Sequence, residues 1–236
     1  MTRRVDLKGS PGDRRRHTRS KKEPRELILR GASSIVRIRG GFVSSEASPS
    51  DPAGQPDSYA GHHVSMTWTA PTVTRPEGSL TADERAMTAD FLAWQRSTLL
   101  VKCAGLTGEQ LAQRSVEHSG LSLLGLIRHL AKVERIWFRE RFAGQQIERL
   151  YSTEEWKDAD FEDLKPERAE ADYARFLEEC RLADEAVADA SLDDTFMLNG
   201  EPASLRLIYL HMIEEYARHN GHADLLREGV DGVTGE

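Results

Sequence analysis

Glu215, His219 and His222 stand at i, i+4 and i+7 within LRLIYLHMIEEYARHNGHADLLREG, residues 205–229. Carboxylate and imidazole are the ligand types of divalent metal ions. An i, i+4 pair projects from one face of a helix, so Glu215 and His219 can reach a single ion. A histidine from a second helix completes a His/Glu/His set, and His129 in SLLGLIRHLAKVERIWFRERFAG offers one. Three protein ligands leave a coordination position open for water or substrate, as in catalytic zinc sites. His222, one turn beyond His219, is open to three roles: a fourth ligand, a group supporting a ligand from behind, or a general base. His129 alone reads more readily as a core histidine than as a ligand, and Glu-x3-His-x2-His alone reads equally as a charged surface. The combination carries the metal reading, because apolar periodicity marks all four residues as inward.

That periodicity also defines the elements. Leu205, Ile208, Met212, Glu215, His219, His222 and Leu226 recur at 3, 4, 3, 4, 3, 4, one stripe down one helix. Ser204 is its expected cap, and Gly229 and Gly232 its end. The helix that supplies His129 opens at Ser122 and closes at Gly144. Leu123, Leu126, Ile127, Leu130, Val133, Ile136 and Trp137 form its apolar arc, with Glu134 inside that arc and Arg128, Lys132, Arg135 and Arg139 on the other side. A first helix is expected after Thr81, with Met87, Phe91, Trp94, Thr98 and Val101 inward. A third runs from Pro166 to Ala190 on Tyr173, Phe176, Cys180, Ala183 and Val187. Leu106–Ser115 reads as a short helical turn, and Phe196–Gly200 as a turn or short hairpin. Four amphipathic helices without a strand pattern give an all-α fold, a four-helix bundle. The long acidic connection from Gln145 to Pro166 permits a topology other than up-and-down.

Net charge is −7 over 236 residues and is unevenly distributed. Residues 1–65 hold 13 basic and 7 acidic side chains; the rest hold 19 and 32. The acidic part is a poor match for nucleic acid. Residues 1–65, rich in Gly, Ser, Pro and Arg, read as a disordered extension. They also read as the product of a start codon placed too early, since composition changes at Met66, MTWTAPTVTRPEG. Residues 66–82 are expected as an extended arm and 83–236 as the bundle. Two cysteines, Cys103 and Cys180, lack disulfide or metal spacing, which suits a reducing cytoplasm. No apolar run approaches a membrane span of ~20 residues.

The blocks FLAWQRSTLLVKCAGLTGEQLAQRSV, GLSLLGLIRHLAKVERIWFRERFAG and IYLHMIEEYARHNGHADLLREGVDGVTGE resemble the DinB/YfiT-like superfamily, most closely its mycothiol-dependent S-transferase branch. The resemblance spans Met66 to Glu236. It implies a four-helix bundle with a divalent metal, zinc or nickel, ligated by His129, Glu215 and His219. Many relatives carry His where this chain has Glu215, and Gln where it has His222. The implied function is a metal-dependent S-transferase that activates mycothiol, or a similar small thiol, as a thiolate to detoxify an electrophile. His222 or Glu134 would take the thiol proton, and the electrophile would lie near Trp137 and the Tyr151–Phe161 loop. The expected partners are the small-molecule thiol and electrophile, with a homodimer open. A metal-dependent hydrolase or isomerase at the same ion, and a non-enzymatic metal-binding stress protein, stand as alternatives.

Overall fold

The structure is a computed structural model, and it describes residues 67–234. The expectations for residues 1–65 lie outside the described residues. Helix α1 spans Glu84–Cys103 and α2 Gly108–Ala112. Helix α3 spans Leu123–Glu134 and runs directly into a π-helix over Arg135–Phe142. A short helix α4 (Ala159–Glu162) and a 3-10 turn (Pro166–Arg168) precede α5 (Ala169–Ala186). Strands β1 (Thr195–Leu198) and β2 (Glu201–Ser204) form an antiparallel hairpin, and α6 spans Leu205–Asp231. Among the described residues the fold is all-α apart from that hairpin. No helix among the described residues is long and apolar enough to cross a membrane.

Side-chain pairs give the helix directions. Glu84 meets Arg206, Gln95 meets Asn220, and Lys102 meets Asp224, so α1 and α6 run parallel. His129 meets Glu215 and Phe138 meets Tyr209, so α3 runs against α6. Arg128 meets Asp172 and Arg135 meets Glu179, so α3 and α5 run parallel. The long connection after α3 makes this order possible, because it returns the chain along the molecule before α5 begins. Leu99, Leu124, Leu126, Ile127, Leu130, Phe176, Ile208, Met212 and Tyr216 are fully buried where the four long helices meet. Each such apolar side chain contributes roughly 1.5–3 kcal/mol on leaving water.

Local signals explain most of the boundaries. The Ser122 hydroxyl accepts from the Gly125 amide at the start of α3. Thr107 and Gln110 form a reciprocal capping box on α2. Asn199 and Gly200, both at positive φ (54° and 89°), make the tight turn of the hairpin. Asp83 caps α1 rather than Thr81, its carboxylate accepting from the Ala86 amide at 2.9 Å. Gly229 lies inside α6, and Gly232 at φ 76° ends it.

Two helix faces differ from the sequence expectation. On α1, Phe91 and Trp94 are exposed, while Leu92, Arg96, Leu99 and Cys103 are buried. The aromatic pair pointed to the wrong face because Arg96 interrupts the true one. On α3, the cationic side is also covered: Arg128 pairs with Asp172, Lys132 with Asp160, and Arg135 and Arg139 with the buried Glu179. Acidic residues of α4 and α5 let that side pack against protein instead of water.

Candidate metal centre

Helix α3 supplies His129 and helix α6 supplies Glu215 and His219, and the three converge. Their ligand atoms all lie within 4.8 Å of one another. His129 Nε2 is 3.1 Å from Glu215 Oε1, and His219 Nε2 is 3.5 Å from the same oxygen. The two imidazole rings meet edge to face at 4.9 Å. Donors on a tetrahedral ion with bonds of about 2.0–2.1 Å stand roughly 3.3–3.5 Å apart. Two of the three spacings match one shared ion, and the His129–His219 separation, within 4.8 Å, would close onto it by side-chain rotation.

The chemistry of the set favours a cation. His129 faces a carboxylate at both ends, Glu215 at Nε2 and Asp160 at Nδ1, the latter at 2.8 Å. A neutral imidazole has one N–H, so one of these contacts must be lone pair against carboxylate unless a proton or a metal ion intervenes. Burial pulls the His129 pKa down, but hydrogen bonds to Asp160 and Glu215 outweigh it and raise the pKa above the usual 6.5. Glu215 is held far below the ordinary carboxylate range by hydrogen bonds from His129 and His219, against the opposing effect of burial. The cluster thus draws positive charge toward Glu215, whether a proton or a metal would carry it.

His222 joins the cluster from behind. Its Nδ1 lies 3.3 Å from His219 Nδ1. An ion on His219 Nε2 would leave the proton on Nδ1, which would then donate to His222. Burial, then His219 and Arg218, depress the His222 pKa below its ordinary 6.5. Glu134 is not brought to the cluster. It is fully buried, bound by Arg96 Nε and Nη2 at 2.6 and 2.7 Å, and accepts the Tyr216 hydroxyl at 2.8 Å. Burial pushes its carboxyl up, against the pull of Arg96 and Tyr216. Both oxygens of Glu134, expected from the sequence to receive a substrate proton, are engaged by Arg96 and Tyr216 instead of facing the three converging ligands. Arg218 pairs with Glu214 at the surface, and Asp224 with Lys102.

Sequence reasoning missed Asp160. It is fully buried, and its Oδ2 also receives Lys132 Nζ at 2.6 Å. Burial tends to raise its carboxyl, but hydrogen bonds from His129 and Lys132 prevail and hold it below the usual range. Phe161 stacks on the His129 ring at 4.8 Å and 29°. Further along the α3–α6 seam, Trp137 packs on His211 at 4.3 Å. The π-helix begins six residues after His129 and sets the register that carries Trp137; such interruptions are frequent at functional sites. A separate groove of about 710 Å³ lies between residues 75–80 and the outer face of α1, and none of the converging ligands lines it.

The family model described as Mycothiol-S-transferase matches residues 87–232. No curated protein and no solved structure matches the chain.

Proposed function

Because the chain belongs to the mycothiol-S-transferase family, we propose that it is a metal-dependent S-transferase whose ion is held by His129, Glu215 and His219. The single observation behind this reading is the convergence of two Nε2 atoms on one oxygen of Glu215. The ion is zinc before nickel, and the thiol is mycothiol. Bound there, a divalent cation supplies one thing: it lowers the pKa of a coordinating thiol, so that the nucleophilic thiolate exists at neutral pH.

The chain's own residues do the rest. Glu215 neutralises one of the two positive charges of the ion, which keeps the site attractive to one further anion. His129 and His219 remain neutral donors, each held by a partner at its outer nitrogen, Asp160 and His222 respectively. That engagement makes His222 an orienting residue first. The electrophile lies along the α3–α6 seam, between Phe161 at one end and the Trp137–His211 pair at the other. In the transfer, the thiol loses its proton, a carbon–sulfur bond forms, and the bond from that carbon to the leaving atom breaks. For an epoxide, the released oxygen takes up a proton. Removal of toxic electrophiles is the role this chemistry serves, within a helical bundle of the DinB kind.

The test is a thiol panel. The full-length chain, loaded with zinc, is offered mycothiol, glutathione or cysteine together with an aryl halide or an epoxide. The expected result is conjugation that requires zinc, runs fastest with mycothiol and is lost in H219A. Zinc-dependent hydrolysis or isomerisation without a thiol would replace the transferase reading with that of a hydrolase or isomerase. Stoichiometric zinc with no turnover on any pair would leave a metal-binding protein.

A further inference from the structure

We propose that Asp160 is the positioning residue of the metal centre: it selects the His129 tautomer that turns Nε2 toward the ion. The inference rests on the ion site proposed above. A neutral imidazole presents a lone pair at either nitrogen, and only the form protonated at Nδ1 leaves Nε2 free as a ligand. Asp160 Oδ2, 2.8 Å from Nδ1, accepts that proton's hydrogen bond and fixes the form.

Three further contacts show that the chain is built around this bond. First, Lys132 Nζ sits 2.6 Å from the same oxygen. It balances the buried carboxylate, so Asp160 can accept from His129 without requiring the ring to become a cation. Second, the backbone of α4 is fastened to α3 by Arg128. That guanidinium donates to the carbonyls of Ala159 (3.0 Å) and Asp160 (3.1 Å) and to Asp172 Oδ2 (3.1 Å), and it lies over the Tyr151 ring at 4.1 Å. Third, Phe161 covers the face of the His129 ring. It approaches so closely because residue 125 is glycine; a Cβ there would stand 3.0 Å from Phe161 Cδ1. One turn of helix, residues 159–162, is thus held against α3 on both sides of the histidine it orients.

The other oxygen of Asp160, Oδ1, is buried without a hydrogen-bond partner.

Two readouts test the proposal on the full-length chain. In the first, ring ¹⁵N shifts of His129 are recorded by NMR on metal-free protein at alkaline pH. The wild type is expected to show one tautomer, protonated at Nδ1. The charge-balanced double variant D160L/K132M, which keeps the Arg128 and Phe161 contacts, is expected to show a mixture. In the second, Co²⁺ affinity is measured by chelator competition, with the visible spectrum reporting geometry. D160L/K132M is expected to lose 10–100-fold in affinity. F161L should stay within about threefold of wild type, because Asp160 remains. A D160L/K132M protein with a single Nδ1–H tautomer and wild-type Co²⁺ affinity overturns the proposal. Absence of Co²⁺ binding by the wild type would refute the ion site instead, and the tautomer measurement would still decide the role of Asp160.

Discussion

Helices α3 and α6 build two polar clusters side by side, and they have opposite character. One centres on Glu134 and Tyr216, the other on His129 and Glu215. In the first, Arg96 of α1 lies against Glu134 of α3 and Asp184 of α5, and Tyr216 of α6 donates to Glu134. Cations and donors meet anions and acceptors, so the cluster is complete and ties all four long helices together. In the second, two imidazole nitrogens and two carboxylates face one another across His129. Lys132 balances Asp160; at Glu215 two imidazole nitrogens meet one carboxylate, where a divalent cation would fit. A polar residue in an apolar stripe is therefore classified by its partners and not by its position. Glu134 and Glu215 both interrupt core stripes, yet one closes a structural knot and the other opens a site.

Removing one half of the closed cluster has the largest expected effect. R96M leaves Glu134 buried without its counter-charge, which costs about 3–5 kcal/mol. Urea unfolding should show that loss equally with and without a chelator. The apolar double variant R96M/E134M should recover more than half of it, since a buried ion pair replaced as a pair is often neutral.

The open cluster should respond to metal instead. Zinc at 100 times its Kd should stabilise the wild type by about 2.7 kcal/mol. Thermal or urea unfolding of E215L should show no zinc-dependent gain. Equal stabilisation of both proteins would erase the distinction drawn between the clusters.

Acidity separates them further. With the His129 pKa raised, a metal ion would compete with a proton held between two carboxylates. Zinc affinity, followed by competition titration, should fall about tenfold per pH unit below that pKa and level off above it. In the metal-free chain the sign is reversed. His129 contributes stability that is full below its unfolded pKa of about 6.5 and is lost as pH rises through its higher folded value.

The smallest effect falls on the support of the site. G125A places a Cβ 3.0 Å from Phe161 and 3.3 Å from the Ser122 hydroxyl. It should cost about 1 kcal/mol by urea unfolding and weaken zinc binding a few-fold, as the Phe161 ring shifts from His129.

Much of this was legible in the sequence. The 3–4 spacing on α6 put Glu215 and His219 on one face, and the arc of α3 put His129 opposite, because helical period and burial are local signals. Asp160 was not legible. It lies 31 residues after His129 in a connection with no period, and its role exists only once the chain folds back. Arg96 was hidden for a different reason: apolar stripes are found by excluding charge, and this charge is buried because Glu134 and Asp184 meet it. The same rule set Lys132, Arg135 and Arg139 on the side opposite the apolar arc without showing that carboxylates of α4 and α5 cover that side.

The central claim is that one divalent ion sits on His129, Glu215 and His219. Elemental analysis of the purified full-length chain after zinc loading and desalting tests it most directly. The account predicts close to one zinc per chain in the wild type and almost none in H129A and H219A that remain folded by circular dichroism. A folded H219A that retains one zinc per chain contradicts it.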